Sequence, residues 1–541
     1  MKGDFSRVSF DPRNHFSQVL LQQGRVTLDA DPNEQSAILL HYLRTLARDL
    51  FGPYAAPVDN AGFDLQLDGD DGALTLDIGA GRYYVQGLLC ENEGCSYIDQ
   101  PHFHPQPQGK EQGSGDPLRR WLESSNRDDE ARFWVYLKVW ERHLTSVEFP
   151  SLREVALGGP DTCSRAQVVW QVRALALDEI EQTLQRRMEE LKKRADATQD
   201  TTERDRLLAR IQDLDTRLSQ LREDYRQGCA APLALFDRDG APTLAAQLKQ
   251  PDRLDDPCIT SPDAEYRGAE NHLYRVEIHR GNEDGGTATF KWSRDNGSVL
   301  TRWIGGGGSR LEVANARDFR DAQWIELSDE DDDLLGLPGS LCRIASVEGN
   351  TLILSAEQDR LAGATTKVRR WDQSANGDIR LSDGAVPVSD DKGDYGWIDL
   401  EDGVQVRFAD GDYRTGDYWL IAARTTGKID WPQDAAGQAR YLPPRGEDPQ
   451  YAPLGFVGPN SDGNPTAETP CRCLVHPTST CGLLQGRVRD TNGRDVAKPQ
   501  NVAIAAAETA TAATAATAAT AATGKANTAK VAKSTVKRKD G

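Results

Sequence analysis

Between residues 270 and 303 apolar and polar positions alternate with a period of two. Tyr274, Val276 and Ile278 fall on one side of an extended chain, and Arg275, Glu277 and His279 on the other. That is the pattern of a strand with one face on a core and one face polar. After a glycine-rich loop, Thr287, Phe290 and Trp292 continue the β signal. Asn296-Gly297 is the pair favoured by a type I′ hairpin turn, and Val299, Leu300 and Trp303 return from it. The stretch predicts scaffold, with no nucleophile–base pair, phosphate loop or metal spacing inside it. Trp292, Trp303 and Trp419 are each expected in a core, the alternative being anchors at an interface.

Residues 1–30 show short β-prone pieces with turns at Asp11-Pro12 and Gly24. A helix follows, with Asp31 as N-cap, Pro32 at its first position and Glu34 reaching back as in a capping box. Ile38, Leu39, Tyr42, Leu43, Leu46 and Leu50 give it an apolar stripe that stops at Gly52-Pro53. Residues 60–97 return to a period of two, residues 101–130 are polar and predict an exposed loop, and 132–142 and 164–173 predict strands. In residues 177–226 the period changes. Leu207, Ile211, Leu214, Leu218, Leu221 and Tyr225 form a heptad seam, and Leu177, Ile180, Leu184, Met188 and Leu191 a less regular one. Two arms of about 20 residues, roughly 30 Å each, predict an antiparallel helical hairpin projecting from a β body and closing on itself; pairing with a partner or another copy is the alternative. From 258 onward short strands recur every 8 to 12 residues, with Gly305–Gly308 as a flexible turn and 432–470 Pro-rich and irregular.

The fold class expected is mainly β and multidomain, with sandwich or barrel-like modules, an N-terminal helix, an inserted helical hairpin and a disordered C-terminal tail. The divisions are 1–58, β pieces plus helix; 59–176, a β domain; 177–227, the hairpin; 228–460, the main β domain or domains; 461–502, a Cys-bearing segment with a small hairpin; and 503–541, an Ala/Thr/Lys tail. A chain of 541 residues exceeds one ordinary core. Its net charge of −20 disfavours nucleic acid as a partner, except through the basic tail. No run of residues is long and apolar enough to span a bilayer. The first residues lack the apolar core of a secretory signal, so synthesis in the cytoplasm is expected. Nine cysteines are too sparse for a disulfide framework; reduced, mostly buried thiols are expected.

Candidate chemistry is thin. Cys471, Cys473, His476 and Cys481 put three thiols and an imidazole within eleven residues, a zinc candidate whose spacing matches no finger; packed thiols or one disulfide are the plain alternative. His102 and His104 form an H-x-H without further ligands. Asp329, Asp331 and Asp333 in the run DEDDD, and Asp68, Asp70 and Asp71, offer the hard oxygens that calcium prefers, but without an EF-hand layout. Solvated turns are the favoured reading, with a contact for a partner's basic residues as a second one for DEDDD. There is no G-x-S-x-G, H-E-x-x-H or Walker sequence. Catalytic residues and cofactors are expected to be none.

Three phrases carry a resemblance: KGDFSRVSFDPRNHFSQVLLQQGRVTLDADPNEQ at the start, ENHLYRVEIH with ATFKWSRDNGSV, and GDYWLIAART at 416–425. Over most of residues 1–460 the chain resembles an uncharacterised bacterial domain-of-unknown-function family (family 6519) found near genes of phage-tail-like contractile injection systems. IGAGRYYVQGLLCE (78–91) is similar to β-rich segments near the N-termini of some phage tail-fibre and baseplate proteins. The resemblance implies a non-enzymatic structural part of an injection particle, at its baseplate or fibre end. Other particle subunits are the expected partners, self-association is allowed for, and release within an extracellular particle follows. It transfers no catalytic residue. The rival readings are a carbohydrate- or surface-binding adhesin and a polysaccharide or peptidoglycan hydrolase.

Overall fold

The computed structural model describes residues 1–70, 73–104, 115–128, 130–226, 228–240, 242–249, 265–282, 286–363, 365–374, 380–390 and 393–476. The hairpin expected at 482–496 and the tail at 503–541 lie outside them. One compact unit runs from Met1 to Val475. The protein is mainly β, with several sheets and a closed barrel.

The first β module is built on Phe133–Leu144, paired along its whole length with Arg165–Ala176 and on its other edge with Gln450–Pro459. Phe133, Val135, Leu137 and Val139 point into a core shared with Leu76, Ile78, Tyr83 and Val85 from two smaller sheets. Trp134 and Tyr136, on the opposite face, are buried as well. The strand Gln450–Pro459 falls inside the region that its prolines mark as irregular. Pro453 is tolerated because the register shifts between it and Gly455, a bulge that releases one ladder bond.

The central sheet has the order Val386–Pro387, Thr289–Ser293, His272–Arg280, Tyr418–Arg424, Lys428–Asp430. Tyr274, Val276 and Ile278, with Phe290 and Trp419 of the same sheet, share a core with Val406 and Phe408 of a second sheet. Leu300–Val313, Thr351–Gln358, Ser340–Glu348, Trp324–Ser328 and Lys367–Trp371 close into a barrel around Trp303, Leu311, Ile325 and Leu352. Trp292, Trp303 and Trp419 are all core residues. Asn296 and Gly297 take the positive φ of a type I′ turn, 50° and 62°. The strands they join do not pair: one belongs to the central sheet and the other to the barrel. Gly305–Gly308, expected as a flexible turn, lies within the barrel strand Leu300–Val313.

Five helices are seen among the described residues. Helix α1, Ala30–Phe51, starts two residues earlier than expected, with Asp29 instead of Asp31 at the N-cap position. Asp31 accepts from Leu28 N at 3.0 Å, and Glu34 binds Ser9 Oγ at 2.6 Å instead of its own helix. Residues 1–29 form no strand; Pro12–Asn14 is a short 3-10 turn. The β-prone pieces find no neighbouring edge and run as an extended arm. Helix α2, Pro117–Glu123, lies in the stretch expected as an exposed loop and buries Leu118, Trp121 and Leu122.

Helices α3, Leu177–Ala197, and α4, Thr201–Glu223, form the antiparallel hairpin and close on each other through Leu184, Leu191, Leu207, Leu214 and Leu218. They do not project. Their core includes Trp134, Tyr136 and Phe456 of the first module, and Arg187 reaches Asp239 and the Ala234 carbonyl. The reason is Phe133–Leu144: a strand apolar on both faces needs two covers. Helix α5, Glu330–Leu335, is the DEDDD run.

The thiols are not all reduced. Cys229, just after the hairpin, is disulfide-bonded to Cys471, 242 residues away. Cys90, Cys95, Cys163, Cys342 and Cys473 are free, and Cys163 and Cys473 are exposed.

Candidate functional site

The polar face of His272–Arg280 does not meet solvent. Arg275, Glu277 and His279 are 3%, 2% and 2% exposed. The neighbouring strand adds Lys291, in register with Glu277, and the barrel adds Glu326 and Trp371. Lys2 of the N-terminal arm lies 3.1 Å from Glu277, and Lys291 lies 3.3 Å from it. Lys291 also bonds Glu326 and sits 4.6 Å from the centre of the Trp371 ring. Trp371 Nε1 donates to Glu326 at 2.9 Å, and the Gly339 amide donates to it at 3.1 Å. Every oxygen of Glu326 thus has a donor, which is what a buried carboxylate requires.

A second set of ion pairs joins the barrel to the first module. Lys367 bonds both Glu148, at 3.0 Å, and Asp333. Arg142 donates to Glu330 of the segment after Trp324–Ser328 at 2.8 Å; within the barrel's own segment Arg360 donates to Asp332 at 3.0 Å. Between the two sets lies a cavity of about 420 Å³ lined by residues including Lys2, Arg142, Glu148, Arg275, Lys367 and Arg369.

The charge states follow from this geometry. Burial pushes Glu326 up, but Lys291 and Lys2 outweigh it and hold the carboxyl at about 2. Burial likewise opposes, and Lys2, Arg275 and Lys291 impose, a Glu277 well below the usual carboxylate range. Glu148 is held at about 2 by Lys367 and Thr145 against its burial. Burial, with Lys291 adding to it, lowers His279 to about 4. A general acid needs the opposite shift, towards the working pH. Glu148, Glu277 and Glu326 are anions locked to cations, whereas burial pushes Glu447, which lines the same cavity, above the usual carboxylate range.

The residues singled out in the sequence lie elsewhere or in other roles. Asp329 caps α5: it accepts from Asp332 N at 3.0 Å, and Asp332 returns the bond to Asp329 N at 3.1 Å, a reciprocal capping box. Asp332 and Asp333 are spent on Arg360 and Lys367, and Asp331 faces solvent. The run is a helix start with ion pairs, and its oxygens do not converge as a calcium loop. Cys471 is in the disulfide, which removes its thiolate from the proposed zinc set, and Cys473 is exposed. His476 falls beyond the compact unit, and Cys481 lies outside the described residues. His104 lies 3.9 Å from Asp99, while His102 offers its carbonyl to Gln171 at 2.9 Å. Asp68 lies in the strand Leu65–Asp70, and Asp71 is outside the described residues. Among the described residues no cluster of three or more His, Cys, Asp or Glu is arranged to hold a metal. None of their helices is long and apolar enough to cross a membrane.

Lys2, Lys291, Glu326 and Lys367 were not singled out by sequence reasoning. The signal available was charge of both signs at alternate positions of one strand, facing a lysine on the next predicted strand.

A family of unknown function (DUF6519) matches residues 1–323 and 353–540, and the chain belongs to that family. No curated protein matches the chain. A solved structure described as "Crystal structure of TssK" aligns with 75% of this chain and 99% of its own, at 9% identity and a TM-score of 0.14, too low to indicate a common fold.

Proposed function

We propose that this protein is a non-enzymatic structural component of a phage-tail-like contractile injection particle, placed at its baseplate or fibre end. The observation that carries the reading is the interior: Glu148, Glu277, Glu326 and Asp333 are each paired with a lysine there, joining the central sheet, the barrel and the first module into one body. Such a body suits a part that must transmit force and present surfaces without turning over a substrate. The setting is part of the proposal and rests on the resemblance of residues 1–460 to a family expected among injection-system genes. Other particle subunits are its partners, and it leaves the cytoplasm only within the particle.

Particles sedimented from the producing bacterium test this. The protein is expected to co-sediment with sheath and tube proteins, at a fixed ratio to them. A protein found only as free chain in the supernatant, or one that degrades cell-wall polysaccharide, overturns the reading.

A further inference from the structure

No described residue covers the apolar stripe of α1. Ile38 is buried, but Leu39, Leu43, Leu46 and Leu50 keep 54%, 62%, 56% and 60% of their surface in water. The helix docks on the body by its other side. Arg44 makes a two-pronged contact with Glu141 at 2.9 and 2.7 Å. Its backbone passes so close to Gly87 that a Cβ there would lie 2.2 Å from the Arg44 carbonyl oxygen. At about 100° per residue the four leucines fall within roughly 60° of one another, and Arg44 and Arg48 lie far round from them. The arm adds to this face. The Val19 amide donates to Gln35 at 2.8 Å, one helical turn before Leu39, and Phe16, Leu20, Leu21 and Val26 are exposed.

The four leucines at ~100 Å² each give on the order of 400 Å², and the four exposed apolar residues of the arm, which is bonded to the helix at Gln35, bring the apolar surface the two elements can offer to about one partner's share of a standard interface. The spacing of the leucines identifies the occupant. Positions 39, 43, 46 and 50 are separated by 4, 3 and 4 residues, a heptad seam that seeks another helix. The seam reads the same in both directions. Laid antiparallel on itself, it sets Leu39 against Leu50 of the other copy and Leu43 against Leu46, each contact occurring twice, as a two-fold interface requires. The other heptad seam of the chain, between α3 and α4, is already closed within the molecule.

We infer that two copies of this chain associate through antiparallel pairing of their α1 helices, with the arms covering the ends of the seam. The inference does not depend on the particle reading, since it concerns the isolated protein.

Sedimentation equilibrium of the full chain at micromolar concentration is expected to give a dimer. The double variant Leu43→Glu/Leu46→Glu is expected to be a monomer that keeps the native tryptophan fluorescence and a cooperative melt, because both positions are exposed on the single chain. Cysteine pairs test the register. Under mild oxidation Leu43→Cys/Leu46→Cys should add an inter-chain crosslink absent from the native chain, while Leu39→Cys/Leu46→Cys should not. A native chain that sediments as a monomer overturns the inference. So does a dimer that survives the glutamates, or a seam occupied only by a helix of a different protein.

Discussion

Lys291 is where most of the interior charge converges: two carboxylates, Glu277 and Glu326, and the face of Trp371 all meet its ammonium. Replacing it by Met leaves both carboxylates buried and short of a cation, a change that costs roughly 3–5 kcal/mol. Urea unfolding followed by tryptophan fluorescence should show that loss. Adding Glu326→Gln to Lys291→Met should recover part of it, because the stranded charge is then removed; a loss below about 1 kcal/mol would mean the pair is not buried as described. His279 makes the same interior sensitive to acid. Its folded value of about 4 lies below the ordinary value of 6.5, so the unfolded chain binds the proton first. The contribution is fully present above pH 6.5 and is lost as the pH falls towards 4, by up to ~3 kcal/mol. Glu326, held at about 2, adds a further loss between its ordinary carboxylate range and pH 2. Melting temperatures of the native chain should therefore fall between pH 7 and 4, and His279→Gln should flatten that part of the curve. A native profile flat across this window would contradict the burial of the ring.

At the scale of elements, what the chain declares and what it conceals separate along one line. Periodicity reveals a strand or a helix, and the alternation of 272–280 and the heptads of 177–226 give real elements. It does not say what covers each face. The polar face of His272–Arg280 looks like a solvent face and is an ionic interior. The leucines of α1 look like a core face and are open to water. Elements without periodicity are missed outright: α2 is short, and Gln450–Pro459 is hidden by prolines that a bulge accommodates. The disulfide was equally out of reach, since a pairing across 242 residues leaves no trace in local spacing. It fastens the segment before the strand Leu474–Val475 to the end of the hairpin. Cys471→Ser should therefore cost roughly 2–4 kcal/mol in unfolding free energy. Peptide mapping without reductant should recover residues 229 and 471 in one crosslinked fragment; recovering both as free thiols would refute the link. Leu214 and Leu218 test the hairpin's closure: each Leu→Ala change should cost roughly 2–5 kcal/mol if the seam is internal, and far less if the two helices part in solution.

Over the whole molecule the ion pairs act as cross-ties between modules that each have an apolar core of their own. Three separate cores would ordinarily unfold in separate steps, since a long chain has no obligation to be two-state. The buried ties alter this. Lys367 stands on a barrel strand and holds Glu148 of the first module together with Asp333 of α5, while Lys291 and Glu326 hold the barrel to the central sheet. A tie worth a few kcal/mol when broken is comparable to the stability of a whole domain, so the modules should melt together. Calorimetry of the native chain is expected to give one main transition for the compact unit. Because the tied groups are buried, raising salt to about 1 M should move it little, whereas exposed pairs would be screened away. Lys367→Met combined with Glu330→Gln removes both ties to the first module but leaves the apolar cores intact, and should split the transition into two, the earlier one shifted down. A native trace already resolved into separate peaks, or a single peak unaffected by the double change, would show that these ion pairs do not couple the modules.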